Sequence, residues 1–106
     1  MKLAIALGLV ACSGRGPSSD VCEDARAHAV ANERRYIADV LATARDDERP
    51  ELAAQAAREL HDLDARFVAT CRSFREFRAD CFDSPEREHA DDCRAFIKAF
   101  VRAALR

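Results

Sequence analysis

The sequence predicts an all-α fold: three antiparallel helices stapled by two disulfides. Three observations carry this. Apolar residues recur at helical spacing in three long stretches, Pro, Ser and Asp mark the boundaries between them, and no stretch alternates as a half-buried strand does. All three glycines, at positions 8, 14 and 16, lie near the N-terminus, so the rest of the chain has none with which to build a tight functional loop.

The first helix is expected from about Val21 to Asp46. Asp20 suits the N-cap, and Glu23 three residues on completes a capping-box-like pair. Cys22, Ala25, Ala29, Val30, Tyr36, Ile37, Val40, Leu41 and Ala44 then share one face. Glu33 is polar in the middle of that stripe, which calls for a partner. Asp47 to Pro50 breaks the pattern, with Pro50 suited to the first turn of a new helix.

The second helix is expected from about Pro50 to Cys81, with Ala53, Ala56, Leu60, Leu63, Phe67, Cys71, Phe74 and Cys81 as its buried stripe. Its first half is Ala-rich and can approach a neighbour closely; its second half carries the aromatics. Arg78 falls near the stripe's centre, so it is either paired with a carboxylate or marks a kink, while Phe77 and Phe82 fall off the stripe. Ser84-Pro85 offers one start for the third helix and Asp91 or Asp92 another. That helix presents Cys93, Phe96, Ile97, Phe100, Val101 and Ala104.

Ahead of this domain, Met1-Lys2 carries a positive charge and residues 3–11 none, an apolar run too short to span a bilayer. Leu9-Val10-Ala11-Cys12 resembles the lipobox of bacterial lipoproteins. The resemblance implies a signal peptide over 1–11, cleavage before Cys12, a diacylglyceryl group on its sulfur and an acylated amine. Several acyl chains anchor stably, at about 0.8 kcal/mol per buried methylene. Ser13, not acidic, implies sorting to an outer membrane, facing the periplasm or the cell surface. Eleven residues before the cysteine is short for such a signal, which leaves room for a start codon upstream. Residues 12–19 then form the lipidated cysteine and a Gly/Pro/Ser tether, and 20–106 the helical domain.

Cleavage leaves about 95 residues, one domain. Only about a fifth of them are Leu, Ile, Val or Phe. Such a core hardly offsets the entropy of ordering the chain. Cross-links supply the difference. With Cys12 lipidated, Cys22, Cys71, Cys81 and Cys93 form an even set in an oxidising compartment, and two disulfides add roughly 2–4 kcal/mol each. Cys71 and Cys81 on one continuous helix lie about 15 Å apart, too far to bond. Two pairings stay open: Cys22–Cys71 with Cys81–Cys93 if the last helix starts near Asp91, or Cys22–Cys81 with Cys71–Cys93 if it starts at Pro85. Cys71-x9-Cys81 followed by Cys93 resembles part of the twin CX9C helical hairpins, with no cysteine at the fourth position, Ala103. That resemblance covers about a quarter of the chain and implies the first pairing, with Cys22 replacing the missing cysteine. It implies no activity.

The formal net charge is −2 and becomes −3 without Lys2, which argues against a nucleic-acid partner. His28, His61 and His89 are dispersed, and His61 with Asp64 makes a single i,i+3 pair short of a metal site. No nucleophile elbow, phosphate loop or C-x-x-C is present, so neither an enzyme nor a cofactor or metal is expected. The face formed by Arg72, Arg75, Phe77, Arg78 and Phe82 is the candidate binding surface, because interleaved Arg and Phe suit anionic polymers or headgroups. The expected role is that of a membrane-anchored binding or assembly module that meets an envelope protein. The alternatives are a structural or stress component contacting lipid or cell wall through the Arg/Phe face, and a metal- or redox-responsive cysteine protein.

Overall fold

A computed structural model describes residues 16–106. The lipobox residues 9–12, with Cys12, and the first residues of the expected tether lie outside them.

The described residues form three long helices, α1 (Ser19–Thr43), α2 (Arg49–Ser73) and α4 (Asp91–Ala104). A 3-10 turn (Ala79–Phe82) and a one-turn helix, α3 (Pro85–Glu88), stand between the last two. No strand occurs among the described residues. The fold is all-helical with two cross-links, and the two short elements are additions to the three helices expected.

α1 starts slightly earlier than its sequence pattern suggested. Ser18, not Asp20, is the N-cap, its hydroxyl accepting from the Val21 amide at 3.4 Å. Asp20 falls in the first turn, where its charge suits the helix dipole. At the other end Arg49 seals the turn into α2. Its Nε donates to the Leu41 carbonyl at 2.9 Å and its Nη2 to that of Ala44 at 2.6 Å, satisfying carbonyls that the helix end leaves free. Pro50 occupies the first turn of α2.

α2 ends at Ser73 and does not continue to Cys81. Phe74 is extended, and the chain between it and Ala79 is non-helical. The reason is legible in the aromatics: an unbroken helix would point Phe77 and Phe82 away from the stripe that holds Phe67. Breaking it turns all of them inward. Both expected starts for the third helix are then used. The Ser84 hydroxyl accepts from the Arg87 amide at 3.2 Å to cap α3. α4 begins afresh at Asp91.

The core lies at one end of the α1–α2 pair. Cys22, Ala25 and Ala29 of α1 meet Leu63, Phe67 and Cys71 of α2, with Phe82, Phe100 and Ala104 closing over them. All six phenylalanines of the chain join this core or pack on it. The Phe67 ring lies 4.7 Å from that of Phe100 and 5.3 Å from that of Phe82. Phe96 stands 5.5 Å from Phe77, edge to face, as aromatic quadrupoles prefer.

The chain enters at this same end. Gly16 donates its amide to the Arg72 carbonyl at 3.1 Å, so the expected free tether is packed from Gly16 onward. A Cβ there would meet the carbonyl oxygens of Arg72, Phe74 and Cys71 at 2.6, 2.6 and 2.7 Å. That space admits only glycine.

Candidate interaction surface

The cysteines pair Cys22–Cys71, tying the start of α1 to the end of α2, and Cys81–Cys93, tying the 3-10 turn to α4, with Cα separations of 5.9 and 5.4 Å. This is the pairing that the hairpin resemblance implied. All four are fully buried. Asp80, Cys81 and Cys93 cluster as metal ligands would, but both sulfurs are spent on the disulfide and offer no thiolate.

The expected Arg/Phe face is corrected. Phe82 is 3% exposed, and Phe77 is half-buried and stacked on it with ring centroids 5.8 Å apart, so both rings pack on the core. Arg78 is not at a stripe's centre, because the helix that would place it there ends earlier. Its Nη2 meets Asp80 and Asp92 at 3.1 Å each, and Arg87 meets the same two carboxylates at 2.8 and 3.2 Å. This four-member network lies over the Cys81–Cys93 bridge, with Arg87 Nη2 3.2 Å from Cys93 Sγ. Hydrogen bonds from Arg87 first, then Arg78, hold the Asp80 and Asp92 carboxyls below their usual range. Only Arg72 and Arg75 of the expected face remain exposed and without an ion pair among the described residues.

The histidines do not converge either. Asp64, the expected partner of His61, is held by Arg26 at 2.6 Å. His28 Nδ1 lies 2.9 Å from the Asp24 carbonyl of its own helix. Among the described residues nothing assembles as a nucleophile with a base.

What the sequence reading missed is the other end of the α1–α2 pair. α4 covers only the C-terminal half of α2, beyond Asn32 only the short α3 stands beside α1, and none of the apolar residues there is buried. Tyr36 is 58% exposed, and Ile37, Val40, Leu41, Leu52 and Ala56 are half-buried. Between the helices these residues line a cleft of about 160 Å³ with Glu33, Gln55 and Glu59. A second cleft, of about 320 Å³, lies between α1 and α3 and includes Asn32, Arg35, Asp39, Glu88 and His89. Glu33 and Tyr36 line both, so they stand between the two clefts.

Asn32 fixes the second cleft's floor, its Nδ2 donating to the Phe82 carbonyl at 3.1 Å and to Glu88 Oε2 at 2.6 Å. Burial, reinforced by the charge of Glu59, pushes the Glu33 carboxyl above its ordinary value. Burial likewise raises Glu88, against the Asn32 hydrogen bond and with the charge of Glu33 adding to it. A signal for this site was present in the sequence: Glu33 interrupts an apolar stripe that runs on past it through Tyr36, Ile37 and Val40.

No family model, curated protein or solved structure matches this chain. No helix among the described residues is long and apolar enough to cross a membrane.

Proposed function

We propose that the protein is a small lipoprotein of a bacterial envelope, held to the membrane through Cys12, whose α1–α2 tip docks on a helix of an envelope protein. It acts as a non-enzymatic binding or assembly module. The observation that carries the docking surface is the tip itself, where Tyr36 is exposed and Ile37, Val40, Leu41 and Leu52 are only half-buried on a pair of helices that α4 does not reach. Two packed helices leave an apolar groove open here, and a partner's helix lying in it buries that groove. In this reading the three long helices run antiparallel, and the incoming helix extends the same arrangement.

The packing of Gly16 supports an orientation. It stands four positions after Cys12, a reach of at most about 14 Å. The disulfide and phenylalanine end therefore faces the membrane. α1 has 25 residues. The tip thus lies a helix length away, about 37 Å. Standing upright on this tether, the domain holds its tip clear of the headgroups and within reach of a protein partner.

Two measurements test the reading. The intact mass of the membrane-extracted protein is expected to show cleavage before Cys12 and the added acyl chains; an unmodified Met1 overturns the anchor. Sedimentation of the detergent-extracted protein is expected to show a complex that Val40→Glu releases to monomer and Arg102→Glu on α4 leaves intact. If Val40→Glu sediments like the unsubstituted protein, the tip is not the docking surface.

A further inference from the structure

We propose that the docking helix carries a lysine or arginine beside its apolar face, and that this cation seats over Glu33 in the cleft between α1 and α2. The inference rests on the tip being the docking surface and adds what selects its occupant.

The groove provides the geometry for a helix. Glu33, Ile37 and Val40 on α1 and Leu52, Ala56 and Glu59 on α2 recur every three or four residues, the spacing that lets a ridge of a third helix settle between two others. The charges decide which helix. Glu33 is half-buried at the centre of the apolar stripe, with Glu59 across one cleft and Glu88 across the other. Glu59 accepts a hydrogen bond from Gln55, and Glu88 one from Asn32. None of the three forms an ion pair among the described residues, and the first cleft has no cation in its lining, whereas Arg35 and His89 line the second and the His89 charge acts on Glu88. Elsewhere the domain pairs its arginines freely, with Asp64, Asp46, Asp80 and Asp92. Like charges gathered in a half-desolvated groove cost the free domain stability, and an incoming cation relieves Glu33 of both neighbours at once.

The same charges disfavour the other occupants. A second copy docking symmetrically through the same groove would enclose two sets of Glu33, Glu59 and Glu88 in one interface, because a two-fold contact uses the same patch on both copies. An anionic headgroup entering the first cleft would meet Glu33 and Glu59 with no cation in its lining.

The experiment places a photoreactive phenylalanine analogue at Tyr36 in the full chain, in the cells that make it, with a control analogue at Arg102. The expected result is a protein adduct at position 36 and not at 102, whose linked peptide has helical apolar spacing and a Lys or Arg beside that stripe. Glu33→Gln is expected to lower the adduct's yield roughly tenfold, the size expected for a partly desolvated charge pair. Glu33→Lys should abolish it, and an unchanged helical circular dichroism spectrum for both variants shows that the fold is kept. A protein adduct with no basic residue near the link, or one indifferent to Glu33→Gln, overturns the cation while leaving the docking surface standing. An adduct to lipid, to cell-wall fragments or to a second copy, or no adduct, overturns both.

Discussion

The Gly16 amide donates to the Arg72 carbonyl at 3.1 Å, and this one bond joins the chain's entry into the domain to the end of its second helix. It lies in sequence beside the Cys22–Cys71 disulfide, so entry point, disulfide and helix terminus are a single unit. Gly16→Ala brings a methyl group onto three backbone carbonyls that no side-chain rotation can clear. It is expected to destabilise the domain by about 1–3 kcal/mol, the usual cost of overpacking. Urea unfolding of the two proteins measures the difference, and equal midpoints would show that the contact does not form.

The two disulfides should contribute unequally. Cys22–Cys71 closes a separation of 49 residues and Cys81–Cys93 one of 12. On the loop-closure model these restrict the unfolded chain by about 4 and about 3 kcal/mol respectively. Replacing Cys22 and Cys71 together by Ala is expected to lower the unfolding midpoint more than replacing Cys81 and Cys93 together.

Phe82→Ala should separate the buried aromatic from the surface it was expected to form. The Phe82 ring packs against those of Phe67 and Phe100. Removing it is expected to cost about 3–5 kcal/mol. Arg72→Ala on the exposed side of α2 should stay within about 0.5 kcal/mol. Comparable effects for the two would restore the exposed Arg/Phe face.

The pH dependence of stability follows from two sets of carboxyls. Glu33 and Glu88 bind protons more readily folded than unfolded, where 4.5 is the ordinary value. Their ionisation at neutral pH therefore costs stability, which returns as pH falls through their raised folded values. Asp80 and Asp92 act in the opposite sense: their contribution is present above 3.8, the ordinary value, and is lost as pH falls through their lowered folded values. That contribution is small because the network is exposed. Thermal unfolding is expected to be highest in the weakly acidic window between these ranges. Glu33→Gln should raise the midpoint at pH 7 and leave it unchanged near pH 4. A midpoint lowered at pH 7 would mean that Glu33 is stabilised within the domain.

Much of the domain was legible in the sequence. The three apolar stripes located the long helices, Pro50 and Ser84-Pro85 located two starts, and the even set of cysteines indicated two cross-links. The end of α2 was not legible, because Arg75 to Arg78 has ordinary helix formers and no proline or glycine. Local propensity there is overridden by the burial of Phe77 and Phe82, a gain that depends on Phe67 and Phe100 being nearby. Nor, beyond the single sign given by Glu33, was the tip legible. Tyr36, Ile37 and Val40 read as core by the same periodicity as Ala25 and Ala29.

By itself, then, the sequence determined the helical class, the number of long helices and the need for cross-links, since periodicity, boundary residues and the scarcity of apolar side chains are local or compositional properties. Only the tertiary structure decided which part of each apolar stripe is covered. α4 has 14 residues against 25 in α1 and in α2, and the Cys81–Cys93 bridge sets it against the phenylalanine end. A helix that short covers half of a pair that long. The uncovered half, with Tyr36 exposed and Glu33 forming no ion pair among the described residues, is a consequence of lengths and docking position that no single stretch of sequence contains.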